Sequence, residues 1–98
     1  MATSKEYKDY ILEQLNFLDD ITIKQMMGEY LLYYRGILFG GIYDNRLLVK
    51  ILESNKKYNM QEAMPYDGAK PMYLVDDVEN GEILKKIIID TYNGLIEK

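Results

Sequence analysis

Apolar residues near the N-terminus recur at helical spacing. One stripe comprises Tyr7, Tyr10, Ile11, Leu15 and Leu18. Residues 3–6, with the sequence TSKE, fit the T-x-x-E capping box, which predicts that a helix begins there. Asp19 and Asp20 follow the stripe, and carboxylates are unfavourable at a helix C-terminus. The pattern therefore predicts one amphipathic helix that ends before this acidic pair.

The centre of the chain has the shorter period of β-strands. ITIKQMM is a weak candidate strand, and EYLLYY, ILFGGIY and RLLVKIL follow it. Arg35-Gly36 and Asp44-Asn45 separate the last three segments, and Gly, Asn and Asp supply the positive φ angles of two-residue turns. In RLLVKIL the apolar positions alternate with mixed ones, so one face is apolar. These three segments predict an antiparallel meander.

Helical spacing returns in the second half of the chain. Ser54 is a candidate cap for a short helical segment that extends to about Met60. AMPYDGAKP predicts a loop, and MYLVDD predicts a further strand. The last helix is predicted from about Val78 to Ile96, with Asn80 or Asp77 as its N-cap. Its predicted buried face comprises Leu84, Ile87, Ile88, Thr91 and Leu95.

These elements predict one α+β domain spanning residues 1–98. We expect two layers, an antiparallel sheet made of a three-stranded meander plus additional strands, with the N- and C-terminal helices packed on one face. Ninety-eight residues suffice for a single core. No apolar run is long enough for a transmembrane helix, and the N-terminus has no signal-peptide pattern. We therefore expect a cytoplasmic protein without membrane contact.

Composition narrows the chemistry. The chain has no cysteine and no histidine, which removes disulfides, the usual zinc ligands and every Ser-His or Cys-His nucleophile pair. We expect a non-enzymatic protein with no catalytic set, no metal site and no cofactor. The net charge of −4 also disfavours nucleic acid as a partner, because phosphate binding normally requires a basic surface.

Three features look like sites and are better explained by structure. Gly40-Gly41 lies inside a predicted strand, whereas a phosphate-binding loop needs a helix N-terminus, so a bulge or a close packing contact is expected. The central tyrosines could stack on bases, but alternation places Tyr33 on the opposite face from Tyr30 and Tyr34. The carboxylates before the last helix favour a helix start over a cation site; they are Asp76, Asp77, Glu79 and Glu82.

Two candidate interaction sites remain. In PYDGAK, the side chains of Tyr66, Asp67 and Lys70 project from a constrained turn, or Tyr66 packs beneath that turn and Asp67 caps its backbone. The second candidate is basic: Arg35, Arg46 and Lys50, with Lys56 and Lys57 as further members. Its alternative is a solvated face balanced by Glu29 and Asp44.

MMGEYLLYYRGILFGGIYDNRLLVK followed by PYDGAKPMYLVDD resembles the N-terminal domain of the TfoX/Sxy competence-regulator family. The shared pattern is a Met-Gly pair, a glycine-containing hairpin, a D-N-R-L-L-V-K strand, a P-Y-x-G-A-K-x-M segment and a terminal helix. It covers about Met26 to Leu95. The resemblance implies a two-layer fold similar to secretion chaperones and a link to transcriptional control of competence. Longer members carry a second, C-terminal helical domain, which we expect to be absent here.

Three hypotheses for function follow. The leading one is a regulatory domain that acts through protein contacts or self-association, using Tyr66, Asp67, Lys70, Arg35, Arg46 and Lys50. The second is direct nucleic-acid binding through the basic residues. The third is a small ligand-binding or enzymatic site with Asp67 and Lys70 beside Tyr66, which requires both a concave pocket at that loop and a perturbed pKa.

Overall fold

The computed structural model describes residues 3–97. These residues form two α-helices, one 3₁₀ helix and six strands. In chain order they are α1 (Lys5–Gln14), β1 (Ile21–Met26), β2 (Glu29–Tyr34), β3 (Ile37–Ile42), β4 (Leu47–Val49), the 3₁₀ helix (Glu53–Tyr58), β5 (Glu62–Ala63), β6 (Met72–Leu74) and α2 (Gly81–Ile96).

The six strands form one sheet in the order β1-β2-β3-β4-β6-β5, and all neighbours are antiparallel. The predicted meander is confirmed as β2, β3 and β4, and the weakly predicted ITIKQMM strand is β1. The sequence pattern missed β5, because a two-residue strand is too short to display a period of two. This strand pairs with β6 and closes a hairpin around residues 64–71.

Both α-helices pack on one face of the sheet, as predicted. Ile11 of α1 and Leu15, the C-cap residue of α1, share one buried cluster with Leu84 and Ile88 of α2. The sheet contributes a second set to the same cluster: Leu32, Tyr34, Phe39, Ile42, Leu47, Val49 and Tyr73. The architecture is therefore a two-layer α+β sandwich. Within residues 3–97, every helix is too short or too polar to cross a bilayer.

Gly40 and Gly41 have the structural role that the sequence predicted. Pairing between β2 and β3 shifts at Phe39, which is an extra residue between the Leu32–Gly40 and Tyr33–Leu38 pairs. A Cβ on Gly40 would collide with the backbone of β4, including Val49 Cα at 2.9 Å. A Cβ on Gly41 would lie 2.7 Å from the Tyr43 ring. The close neighbours are thus adjacent strands and a tyrosine, and no phosphate loop is formed.

The first helix begins one residue later than the capping-box pattern predicts. Ser4 is the N-cap, since its Oγ accepts a hydrogen bond from the Tyr7 N–H at 3.1 Å. Thr3 donates its hydroxyl to Glu29 at 2.7 Å instead, which ties the N-terminal segment to the sheet. The regular helix ends at Gln14, although the predicted stripe continues into the core through Leu15 and Leu18.

Two further boundaries differ from the prediction. Ser54 is not a cap: the 3₁₀ helix starts after Leu52, and Ser54 Oγ donates to the Asp90 carbonyl at 2.6 Å. Ser54 therefore binds the backbone of α2 and does not cap its own helix. Helix α2 begins at Gly81, later than predicted, with Asn80 as its N-cap accepting from the Ile83 N–H at 3.3 Å.

Candidate partner-binding site

The PYDGAK segment forms a folded loop between β5 and β6. Pairing of Ala63 with Met72 closes its base. A turn inside it is held by the Ala69 N–H, which donates to the Tyr66 carbonyl at 3.1 Å, and Gly68 adopts a positive φ of 85°. Such an angle favours glycine, because a side chain there is strained. The loop therefore has one defined shape that projects its polar residues outward.

Arg46 fixes this loop to the sheet. Its Nη2 donates to the carbonyl oxygens of Met64 at 3.0 Å and Pro65 at 3.4 Å. Its Nε donates to the Tyr43 carbonyl at 3.2 Å. The guanidinium donors are thus used on backbone oxygens, so Arg46 positions the loop. This role was not predicted, because the acceptors lie about twenty residues along the chain.

Beneath the loop lies a concave cavity of about 620 Å³, which we call the lysine groove. Two lysines, Lys50 and Lys70, line it together with a largely apolar wall. The other lining residues are Leu38, Gly40, Tyr43, Ile51, Pro65, Tyr66, Ala69, Pro71 and Met72. Its volume is in the range of sites that bind small molecules or single peptide side chains. The concave pocket that the third hypothesis requires is therefore present.

A second depression of about 370 Å³, the acidic hollow, adjoins the loop. Its lining includes three carboxylates and Arg46, and it shares Pro65 and Tyr66 with the lysine groove. The carboxylates belong to Glu29, Asp44 and Asp67. Glu29 already accepts hydrogen bonds from Thr3 and from the Asp44 N–H. Pro65 and Tyr66 therefore lie between the lysine groove and the acidic hollow.

Tyr66 lies on the outside of the loop. Its side chain is 64% exposed, so the alternative in which it packs beneath the turn is wrong. The Tyr66 ring centroid lies 6.3 Å from that of Tyr43, with the ring planes tilted by 52°. Burial raises the pKa of the Tyr43 hydroxyl, and the neighbouring Tyr66 and Glu29 add to that effect. A half-buried tyrosine thus lies beside an exposed one at the rim of the groove.

The structure separates the remaining predicted cations. Arg35 occupies the β2–β3 turn and stacks over the Tyr34 ring at 5.2 Å. Lys56 pairs with Glu53 at 2.8 Å, and Lys57 pairs with Asp90 at 3.1 Å. None of these three lines the lysine groove or the acidic hollow. Of the predicted site residues, the structure brings together Tyr66, Lys70 and Lys50 on one side, and Arg46 and Asp67 on the other.

The central tyrosines do not form a stacking platform. Tyr34 is 7% exposed and makes an edge contact with Tyr92 at 4.9 Å between centroids. Tyr30 and Tyr33 are half-buried, and Tyr43 packs over Gly41. These rings serve mainly as packing surface in and around the sheet.

Sequence reasoning also missed a polar cluster between the 3₁₀ helix and α2. The fully buried Asn55 donates through Nδ2 to Lys50 O at 2.8 Å and to Thr91 Oγ1 at 2.9 Å. Tyr58 donates to the Asp90 carboxylate. Burial and this hydrogen bond raise the pKa of Tyr58 to about 12. The cluster joins elements and leaves little for a ligand to bind.

The fold is that of a small two-layer α+β domain. The family model described as the TfoX N-terminal domain matches residues 13–88, and the chain belongs to this family. The resemblance predicted from the sequence is thereby confirmed. The chain is also similar to a protein described as an uncharacterized 12.7 kDa protein in the trpE 5′ region of Spirochaeta aurantia. The two are 32% identical over 80 residues, covering 80% of this chain and 70% of that relative.

Proposed function

We propose that this TfoX N-terminal domain is a non-enzymatic bacterial regulatory module that binds another protein through the lysine groove and the adjoining Tyr66. Family membership supports a regulatory role connected with competence. The observation that carries the proposal is the groove itself: an apolar concavity with an exposed tyrosine at its rim and two lysines in its wall. The residues that contribute most of the binding energy of a protein interface are enriched in tyrosine, and they pack into well-formed pockets.

The chemistry of the groove favours a particular kind of partner segment. Leu38, Ile51 and Met72 offer apolar contacts to one inserted side chain. Lys50 and Lys70 offer ammonium groups to a nearby carboxylate. A partner segment with an apolar residue beside an acidic residue fits both features. The loop is anchored by Arg46 before binding, which lowers the ordering cost of association.

Direct nucleic-acid binding is the weaker reading. The five cations that it needs are distributed over the β2–β3 turn, the two ends of β4 and the 3₁₀ helix, and four of them already contact protein groups. Affinity for phosphates depends on several free cations acting together. The net charge of −4 further opposes the approach of a polyanion.

The test is capture of partners by the immobilised domain from a bacterial lysate, with and without nuclease treatment. We expect a discrete protein that survives nuclease and whose affinity falls at least about tenfold in Tyr66→Ala and Lys70→Glu. Lys85→Glu is the matched control, because it makes the same charge change on an exposed position of α2 outside the groove. Retention that disappears with nuclease, or that is equal in all variants, would contradict the proposal.

A further inference from the structure

Strand β1 is a long edge strand of the sheet, and among residues 3–97 only β2 pairs with it. The strand order places β1 at one edge and the two-residue β5 at the other. Residues 22–26 of β1 are all exposed, and Ile21 is half-buried. Edge strands of monomeric proteins are usually short, bulged or rich in charge. This edge has six residues with regular pairing to β2 and a single charged residue, Lys24.

The ladder to β2 shows which backbone groups of β1 point outward. The Arg35 N–H donates to the Asp20 carbonyl at 3.1 Å, so Asp20 directs its carbonyl toward the β2 side. Backbone groups alternate in an antiparallel pair. Thr22 and Lys24 therefore also face β2, and the N–H and C=O groups of Ile21, Ile23 and Gln25 face solvent.

The side chains of these outward-bonding residues share one face. Ile21 packs against the hydrophobic core, so Ile23, two residues on, lies on the same helix-covered side of the sheet. Ile23 is 36% exposed at the end of this layer. Its uncovered surface is where a further strand would extend the apolar face.

We propose that two copies of this chain associate by antiparallel pairing of their β1 strands, with the two-fold axis at Ile23. In that register Ile23 faces Ile23 of the second copy, and Ile21 faces Gln25 of the second copy. All three outward residues then exchange both of their backbone hydrogen bonds, and one continuous twelve-stranded sheet results. The proposal is independent of the lysine groove.

Charge and symmetry favour a second copy over an unrelated strand. Lys24 stands opposite Thr22 of the second copy; its diagonal neighbours there are Lys24 and Asp20, the residue just before β1, whose carboxylate can pair with the Lys24 ammonium group. Diagonal neighbours lie about 7–8 Å apart, within the reach of a lysine side chain. The two-fold axis repeats this opposite-charge contact, and it covers the exposed part of each Ile23 with its equivalent.

The first test is sedimentation velocity of the full chain across roughly 5–500 µM, the range where an interface of this modest size is expected to assemble. We expect the mass to rise from 11.5 kDa toward twice that value. Ile23→Pro removes an outward N–H without touching the β2 ladder, so it should weaken association at least about tenfold while circular dichroism stays unchanged. Ile23→Val should associate like the wild type.

The second test determines the register with single cysteines, since the chain contains none. Ile23→Cys places two Cα atoms about 5.5 Å apart across the axis, a distance that a disulfide can span. The equivalent atoms for Thr22→Cys or Lys24→Cys would be about 8 Å apart, beyond that limit. Rapid cross-linking of Ile23→Cys alone would support the proposal. A monomer at every concentration, or equal cross-linking of all three variants, would overturn it.

Discussion

Two polar stretches of this chain have similar compositions, but one is bound to α2 in the structure and the other faces outward. Residues 54–59, SNKKYN, form most of a 3₁₀ helix whose polar groups bind α2. Residues 66–70, YDGAK, form a loop whose polar groups face outward. Asn55 is fully buried, whereas Tyr66 is 64% exposed. The comparison teaches that polar composition alone does not mark a binding site; the position of hydrogen-bond partners decides.

The largest effect should come from Asn55→Ala in the 3₁₀ helix. Asn55 accepts from the Leu52 N–H at 3.1 Å and donates to Lys50 O and Thr91 Oγ1. Truncation leaves those buried groups without their partner, so we expect a loss of about 3 kcal/mol in the free energy of unfolding. Urea denaturation monitored by circular dichroism would measure it.

Asn16→Ala is the matched control, since Asn16 is exposed after α1. Its effect should stay within about 0.5 kcal/mol. If the two variants lose equal stability, Asn55 does not stabilise the contact between the 3₁₀ helix and α2. The proposed difference between the two polar stretches would then be wrong.

The hydroxyl of Tyr58 should have an intermediate and pH-dependent effect. It donates to the Asp90 carboxylate at 2.5 Å, and Lys57 lies 3.1 Å from the same oxygen. Burial opposes ionisation of Asp90, but the hydrogen bonds from Tyr58 and Lys57 outweigh it and hold the pKa of the carboxyl below 3.8. We expect Tyr58→Phe to lower stability by about 1.5 kcal/mol at pH 7, as for other hydrogen bonds to charged groups.

That difference should depend on pH in a defined direction. A lowered native pKa means that the stabilisation is present above about pH 4 and is lost as pH falls through the native pKa of Asp90. The raised pKa of Tyr58, about 12, means that its contribution is present below pH 10 and is lost as pH rises from 10 to 12. Tyr66→Phe changes an exposed ring, so its free energy of unfolding should differ little from that of the wild type at every pH. If the difference in free energy of unfolding between the wild type and Tyr58→Phe is the same from pH 3 to pH 7, this explanation is wrong.

A smaller effect is expected where α2 contacts the 3₁₀ helix through glycine. A Cβ on Gly94 would collide with Ser54 Oγ and lie 3.2 Å from Leu52 Cδ1. Gly94→Ala gains about 1 kcal/mol of helix propensity and loses more through overpacking, so we expect a net loss of about 1 kcal/mol. Gly81→Ala, in the same helix with open space around it, should be neutral or stabilising in thermal unfolding. If both variants gain equal stability, the 3₁₀ helix can shift away from the added methyl group without cost.

Much of the fold could be predicted because its signals are local. The meander follows from alternation and from turn residues such as Asp44 and Asn45, which adopt φ of 51° and 56°. Asn80 was one of the two predicted caps of α2, with Asp77, because capping involves residues three positions apart. Ser54 and Thr3 were assigned wrongly, since each binds a distant group, Asp90 or Glu29, in place of its local partner.

The candidate site could be predicted only in part. Tyr66 and Lys70 were proposed as site residues because turn chemistry accounts for Asp67 and Gly68 of the same loop but not for these two side chains. Their meeting with Lys50 depends on the pairing of β4 with β6, which no local pattern encodes. The role of Arg46 depends on the same pairing. The groove is therefore a property of strand order.

The smallest effects on stability belong to the loop, and there a small effect is the informative result. Tyr66→Ala and Lys70→Ala remove exposed side chains, so each should change the free energy of unfolding by less than about 0.5 kcal/mol. Arg46→Ala should cost more, because it releases the carbonyls of Met64 and Pro65. Chemical denaturation of the three variants separates a loop that presents side chains from one that the fold needs. A loss above about 1 kcal/mol in Tyr66→Ala would mean that this ring stabilises the loop, and its exposure would no longer point to a partner.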